Sequence, residues 1–282
     1  MAISSAHPHY FSTRCLSTGS SKIPTLVRYD KTGKAVQFAE EAAENDQGLD
    51  DTYLAQWFKL LLHPESMRAN HNISVTPLPP SITLRKVYAD FLRFMFDAST
   101  TFVSDRIMDE WGGRRGRVWP RLNENFVVCM AIPNGWSIEE QEWLRAALVD
   151  ASILPKDHDR NRLQFVSESE GSVHFAVQHA RAGAWLQPGT VFAVCDAGGS
   201  TVDSVAYRCV QTVPNIQLEE VTASECVQAG GALVDMAVSD MLTKRFGATK
   251  FGAKDRLKDA VRSFERKAVS FASSGSHLRL LA

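Results

Sequence analysis

The chain has 282 residues, of which 44% are hydrophobic and 22% charged, a composition that excludes disordered and fibrous proteins and favours a globular one. Its 31 Lys and Arg residues against 32 Asp and Glu give a formal net charge of -1, so no global basic field attracts nucleic acid or an anionic membrane surface. No run approaches the roughly 20 apolar residues of a membrane helix. The composition predicts a cytoplasmic protein that binds neither nucleic acid nor membrane.

The cysteines are five, an odd number, widely spaced and mostly within apolar runs. They are Cys15, Cys129, Cys195, Cys209 and Cys226. No Cys-x-x-Cys or His-x-x-x-His spacing indicates a zinc site. We therefore expect buried, reduced thiols.

Residues 1–22 are predicted to form a flexible N-terminal segment. Residues 1–29 contain many serines, three basic residues and no acidic one, which is also typical of an organelle transit peptide. The stretch lacks a convincing amphipathic helix, so an ordinary flexible start and a misplaced first exon stay open as alternatives.

The first predicted elements form a hairpin and two helices. Residues 23–29 and 35–38 read as strands around a turn at 30–33, and a short helix follows at 39–45. Residues 52–62 are compatible with a helix that ends at His63-Pro64, because proline stops a helix. After a loop at 74–81, apolar residues between Leu84 and Met95 recur on one helical face.

The middle of the chain reads as strand, turn and helix, twice over. Residues 125–132 are typical of a buried strand, and Ser137 with Glu140 forms a capping box that opens a helix through Ala151. Phe165-Val166 then leads through a short strand into a helix that reaches about residue 182.

A glycine-rich turn lies between two strand-like runs, residues 191–194 and 202–209. It reads Asp196-Ala197-Gly198-Gly199-Ser200-Thr201-Val202-Asp203. Glycines let backbone N–H groups approach an anion, and a carboxylate at each edge can hold a hydrated metal or orient a water molecule. For the octapeptide alone, a tight β-hairpin with an ordinary Asx turn is the alternative.

Downstream, residues 218–224 read as a strand, and Gly230-Gly231 precedes a helix over residues 233–246. A glycine pair that opens a helix places N–H donors and the positive end of the helix dipole together, where phosphate is stabilised. Apolar residues between Leu257 and Phe271 predict a final amphipathic helix.

The turn at 196–203 resembles the second phosphate loop of the actin-like ATPases. The closest pattern is the nucleotide-binding domain of heat shock protein 70 (DnaK-type) chaperones, Asp-x-Gly-Gly-Gly-Thr-x-Asp, in which Ser200 replaces the third glycine. Three further segments follow the family's order: the Pro-containing opening strand at 23–27, the looser Ile132-Pro133-Asn134-Gly135-Trp136, and Gly230-Gly231. Glu168 takes the place of the glutamate in the family's Asn-Glu-Pro segment, although the proline and alanines are missing.

This resemblance implies an α/β chain with an incomplete actin-like ATPase domain, that is, a two-lobed ribonuclease H-like fold of an atypical, divergent member. Lobe I would span residues 23–185 and a partial lobe II residues 186–282. The family's first phosphate loop and its adenosine loop have no counterpart, so the chain reads as truncated at both ends. We accordingly expect ATP hydrolysis that is weak or absent, and exposed sheet edges in lobe II.

The family's roles transfer to matched positions only, with ATP and Mg²⁺ as the implied cofactors. Asp196 and Asp203 would face magnesium and the attacking water, and Glu168 would hold a magnesium-bound water. The residues implied to contact the nucleotide are Gly198, Gly199, Ser200, Thr201, Gly230 and Gly231. Lys59 would reach the γ-phosphate and complete the catalytic set. Each role has a purely structural alternative: a capped turn at 196–203, a solvated glutamate at Glu168, a tight turn at Gly230-Gly231, and a surface lysine with a partly buried stem at Lys59.

Two functional interpretations follow. The first is a chaperone-like, ATP-binding ATPase whose partners are nucleotide, client proteins and co-chaperones. The second is a non-catalytic actin-like interaction protein that has lost nucleotide binding. A sugar or glycerol kinase of the same superfamily is a third, for which no substrate-binding cluster is visible. A Rossmann dehydrogenase is disfavoured because Gly198-Gly199 precedes a strand, where that fold requires a helix.

Overall fold

The computed structural model describes residues 23–44, 51–65, 77–111, 126–179 and 185–274. Helices and strands are mixed along this part of the chain. The helices are α1 (Ala39–Glu44), α2 (Phe58–Leu62), α3 (Leu84–Trp111), α4 (Ile138–Asp150), α5 (Glu168–His179), α6 (Gly231–Phe246) and α7 (Lys254–Ser274). The strands are β1 (Leu26–Asp30), β2 (Ala35–Phe38), β3 (Thr52–Gln56), β4 (Val128–Ile132), β5 (Leu163–Ser167), β6 (Val191–Ala197), β7 (Val202–Gln211), β8 (Gln217–Glu220) and β9 (Glu225–Val227).

The described residues fall into two compact units. Unit 1 contains residues 23–44, 51–64, 77–111, 126–132 and 136–166, and unit 2 contains residues 65, 133–135, 167–179 and 185–274. Helix α5 belongs to unit 2 because its Val173 packs on Val205 and Tyr207 of β7. The predicted lobe boundary, after residue 185, stays a prediction.

Unit 1 is built on an antiparallel sheet in the order β2-β1-β3. The hairpin predicted at residues 30–33 is confirmed. Asp30 Oδ1 accepts from the backbone N–H groups of Thr32 and Lys34, at 2.9 and 3.0 Å, and Gly33 takes the positive φ of 81° that the turn requires. Val27 and Tyr29 of β1 are fully buried and anchor the core of this sheet.

The helix predicted over residues 52–62 is wrong for its first half. Thr52–Gln56 is the strand β3, paired with β1 from Leu26 opposite Gln56 to Asp30 opposite Thr52. Trp57 then turns the chain with a left-handed φ of 53°, and only Phe58–Leu62 is helical. Tertiary pairing with β1 decides the conformation of a segment that local helix propensity leaves undecided.

Helices α3 and α4 confirm the sequence predictions and pack against each other. The capping box is present, since Ser137 Oγ accepts from Glu139 N–H and Glu140 Oε2 accepts from Ser137 N–H at 2.7 Å. An edge-to-face chain of aromatic rings joins α2, α3 and α4: Phe58 to Tyr88 at 5.2 Å, and Tyr88 to Trp143 at 5.0 Å.

Unit 2 is built on an antiparallel sheet in which β7 is the central strand. β6 pairs along one side of β7, while β8 and β9 pair with different stretches of its other side. Every second residue of β7 is buried from Asp203 to Cys209, which is the alternation of a half-buried strand. The buried face therefore changes from apolar at Val205 and Tyr207 to polar at Asp203.

Two further expectations are corrected in this part of the chain. Of the strand predicted over residues 218–224, only 218–220 are extended, as part of β8; residues 221–224 are not a strand, and β9 follows at Glu225–Val227, with both strands paired to β7. Of the cysteines predicted to be buried, Cys129 and Cys195 are exposed, whereas Cys209 is fully buried. Cys129 lies on β4 and Cys195 on β6, and each points to the face of its strand that is not buried. An apolar sequence therefore did not mean that both faces of the strand are covered. Cys15 lies outside the described residues, as do the end of the helix expected at residue 182 and the predicted N-terminal segment.

Candidate functional site

The turn at residues 198–201 closes an antiparallel hairpin between β6 and β7, as its sequence predicted. Asp196 lies directly opposite Asp203 in the register of the two strands. Directly opposed residues of an antiparallel pair point to the same face, so the two carboxyl groups share one side of the sheet. Gly198 N–H donates to Thr201 C=O at 2.9 Å and closes the turn.

This turn is fixed to the beginning of helix α6. The backbone N–H groups of Gly230, Gly231 and Ala232 donate to the carbonyl groups of Ser200, Gly198 and Gly199, at 3.1, 3.0 and 2.8 Å. The first N–H groups of a helix have no partner within the helix, and here two of them are satisfied by the turn. The contact of Gly230 and Gly231 with phosphate stays a prediction, because in this structure their N–H groups hold the turn.

Gly230 is required by space. A Cβ atom built there would lie 2.5 Å from Gly199 C and 2.5 Å from Ser200 N, far inside van der Waals contact. At Gly231 the nearest atom would be 3.9 Å away, and at Gly199 nothing lies within 4 Å. Ser200 is not among the described residues with positive φ, so serine fits this position without backbone strain. The N–H of Gly199 donates none of the bonds that fix the turn.

Asp203 is a fully buried carboxyl group. Its Oδ1 accepts from the backbone N–H of Asn134 at 2.8 Å, and the Cys226 thiol donates to the carboxyl group, while no N–H or O–H group of the described residues donates to Oδ2. Asn134 in turn donates from Nδ2 to Ser169 Oγ at 2.9 Å. Asn134 therefore holds Asp203 through its backbone N–H and contacts α5 through its side-chain amide.

Asp196 and Glu168 lie at the same polar end of unit 2. Asp196 is partly exposed, and Ser172 Oγ of α5 donates to its Oδ2 at 3.5 Å. Glu168 is the first residue of α5. The pKa of the Cys226 thiol on β9 is raised to about 12, first by burial, then by a hydrogen bond to Asp203 and by the negative charges of Asp203 and Glu168. Cys226 is paired with Asp203 in the register of β9 and β7, so its thiol lies beside that carboxyl group.

Lys59 belongs to unit 1, where it is half-buried on α2 and 6.0 Å from the centre of the Trp136 ring. Trp136 Nε1–H donates to Nδ1 of the fully buried His63 at 3.0 Å. Lys59 thus stands over a buried Trp-His pair within its own unit. Its predicted approach to a γ-phosphate stays a prediction.

Unit 2 therefore brings together most of the predicted site residues. They are Glu168, Asp196, Gly198, Gly199, Ser200, Thr201, Asp203, Gly230 and Gly231. The sequence did not indicate Asn134, Ser169, Ser172 or Gln228 as members of this cluster. The signal for Asn134 was its place in the Pro-containing turn, and for Gln228 its position two residues before Gly230.

The polar end of unit 2 fits a hydrated cation better than a bare one. Among the described residues, no group of three or more His, Cys, Asp or Glu side chains is arranged to hold a metal ion directly. The Oδ2 atom of Asp203 is a buried acceptor to which no N–H or O–H group of the described residues donates, and the water molecules around Mg²⁺ are donors. Magnesium bound through its water shell would satisfy this oxygen.

Comparison with known proteins does not place the chain in a family. No protein-family model matches it, and no curated protein matches it significantly. Within the described residues, no helix is both long and apolar enough to cross a membrane.

Proposed function

We propose that this protein binds ATP with magnesium at the 196–203 hairpin, as a divergent relative of the heat shock protein 70-type ATPases. The observation that carries the proposal is the opposition of Asp196 and Asp203 across a glycine-rich turn that is hydrogen-bonded to the start of α6. Order and spacing of motifs suggested this arrangement, and the hairpin supports it.

Each residue has a distinct part in the proposed site. Asp203, held by Asn134 N–H, presents Oδ2 to the water shell of the cation, and Asp196 does the same from the opposite strand. The N–H of Gly199, an exposed residue, and the hydroxyl of Thr201, which is 2% exposed, bind phosphate oxygens in this proposal. Magnesium supplies charge neutralisation on the phosphates, and the carboxylates of Asp203 and Glu168 orient water for in-line attack.

Hydrolysis is expected to be weak. The family's first phosphate loop and adenosine loop have no counterpart in the sequence, and each charge-assisted contact contributes about 1.5–3 kcal/mol to binding. We therefore propose nucleotide binding as the main activity and treat ATPase turnover as secondary. Client proteins and co-chaperones are the corresponding proposed partners, in the cytoplasm.

One observation favours the second candidate, a non-catalytic interaction protein. The N–H groups of Gly231 and Ala232 at the start of α6 donate to carbonyl groups of the turn. A turn that consumes the helix's free donors can serve as architecture alone, with no phosphate bound.

Steady-state phosphate release separates the two candidates. We expect a slow, magnesium-dependent release from the full chain that is lost in Asp203→Asn. Equal phosphate release by the wild type and Asp203→Asn would indicate a contaminating ATPase. If ATP also leaves the thermal stability of both proteins unchanged, the interaction protein is favoured.

A further inference from the structure

Three buried oxygen atoms in unit 2 accept from no N–H or O–H group of the described residues, and the thiol of Cys226 is the donor beside one of them, in Asp203. They are Asp203 Oδ2, Asn134 Oδ1 and Gln228 Oε1. Asp203 is fully buried and Gln228 is 2% exposed. A buried acceptor without a donor is destabilising, and in native proteins such atoms are satisfied by ordered water or by an ion.

The three atoms belong to segments that meet at one place. Asn134 N–H contacts Asp203 directly, at 2.8 Å. Gln228 comes directly after β9, where Cys226 is paired with Asp203 and Val227 with Val202. Two residues after Gln228, Gly230 contacts the 198–201 turn. Gln228 therefore lies between the strand that neighbours Asp203 and the glycine that supports the turn.

The chemistry of this set is one-sided. All three orphan atoms are acceptors, and one of them belongs to a carboxylate, so a partner that donates several hydrogen bonds and carries positive charge suits them best. A hydrated divalent cation has both properties, because its water molecules are polarised donors. A neutral water molecule alone would leave the charge of Asp203 uncompensated.

We propose that Gln228 and Asn134 bind the water shell of a divalent cation held at Asp203, and that Gln228 is a positioning residue of this site. The inference deepens the proposed function and rests on it for the location of the cation. It assigns a role to a glutamine that the sequence motifs leave out. It also explains why a polar side chain is buried beside a turn that apolar residues could have filled.

The test is a titration of the full chain with Mn²⁺ alone, in which free Mn²⁺ is counted by electron paramagnetic resonance. Gln228→Met keeps the length of the side chain and removes the acceptor oxygen. Gln217→Met, on the exposed strand β8, makes the same exchange far from the site in sequence and is the matched control. We expect saturable binding that Mg²⁺ displaces, weakened about tenfold or more in Gln228→Met and unchanged in Gln217→Met.

Equal Mn²⁺ affinity in wild type and a folded Gln228→Met would overturn the inference, as would the lack of saturable binding to the wild type. If Gln228→Met does not fold, Gln228→Glu replaces it. That variant keeps an acceptor oxygen and adds negative charge, so Mn²⁺ affinity should be retained or increased, and a decrease would contradict the proposal.

Nucleotide binding, measured separately on the same samples, distinguishes this inference from the proposed function. Magnesium-dependent ATP binding that is equal in wild type and Gln228→Met would retain the function and overturn the role of Gln228. Mn²⁺ binding that depends on Gln228, without any nucleotide binding, would support the cation site and overturn the function.

Discussion

Replacement of Gly230 by alanine tests how the turn is held. The added Cβ would lie 2.5 Å from Gly199 C and 2.6 Å from Ser200 C, both backbone atoms that cannot rotate away. Either the turn stays and the overlap is absorbed as strain, or the turn moves away from α6. The variant Gly231→Ala, one residue along, would have its nearest neighbour at 3.9 Å.

The free-energy cost of each route can be estimated from the contacts at Gly230. Strain from overpacking costs about 1–3 kcal/mol. Separation of the turn breaks the three hydrogen bonds from residues 230–232, at about 0.5–1.5 kcal/mol each, or about 1.5–4.5 kcal/mol together. The cheaper route sets the cost, so we expect Gly230→Ala to lower the free energy of unfolding by about 1–3 kcal/mol. Gly231→Ala should be neutral or stabilising by up to about 1 kcal/mol, because alanine favours a helix.

Urea denaturation gives the difference in stability, and hydrogen exchange read by mass spectrometry gives its location. Faster exchange is expected in peptides that contain residues 230–232 of Gly230→Ala, with Gly231→Ala like the wild type. Equal stability and equal exchange in the two variants would refute the close packing of the turn on Gly230.

Three other predictions concern separate features. Trp136→Phe removes the donor to buried His63 Nδ1, so it should lower the free energy of unfolding by about 1–3 kcal/mol, measured by urea denaturation. The control Trp143→Phe, at a ring with an edge contact to Tyr88, should lower it less. The reverse order would contradict the Trp136–His63 bond. At pH 8 a thiol reagent should label the exposed Cys129 and Cys195 but not Cys226, whose pKa is about 12, and peptide mapping that finds Cys226 labelled equally fast would show that its thiol is not buried beside Asp203. Because the pKa of Cys226 is raised, the folded state retains a proton that the unfolded state loses between pH 9 and pH 12. The contribution of Cys226 to stability is therefore present below pH 9 and is lost as the pH rises toward 12. Denaturation midpoints of wild type and Cys226→Ser should converge across this range, and parallel curves would contradict the raised pKa.

Local sequence predicted the glycine-rich turn and the helix cap better than it predicted the strand at residues 52–56. The residues of the 198–201 turn and the capping box at Ser137 have short-range signatures, so both were visible in the sequence. Residues 52–56 have no such signature, and their strand forms because β1 offers an edge to pair with. Local sequence cannot contain this information, since β1 precedes β3 by some 20 residues.

The sequence motifs likewise did not predict which polar residues surround Asp203. Asn134 and Gln228 reach the site from a turn and from a strand end, through backbone geometry that places them beside residues distant in sequence. The fixing of the turn to α6 also depends on this geometry, and it gives Gly230 a packing contact that the sequence did not indicate.

The most direct measurement is a calorimetric titration of the full, folded chain with Mg-ATP and Mg-ADP, with Asp196→Ala as the control. Asp196 is partly exposed, so its replacement should leave the fold intact. We expect saturable, magnesium-dependent heat from the wild type that is lost in Asp196→Ala. No heat and no thermal stabilisation of a folded wild-type sample would contradict nucleotide binding at the 196–203 hairpin.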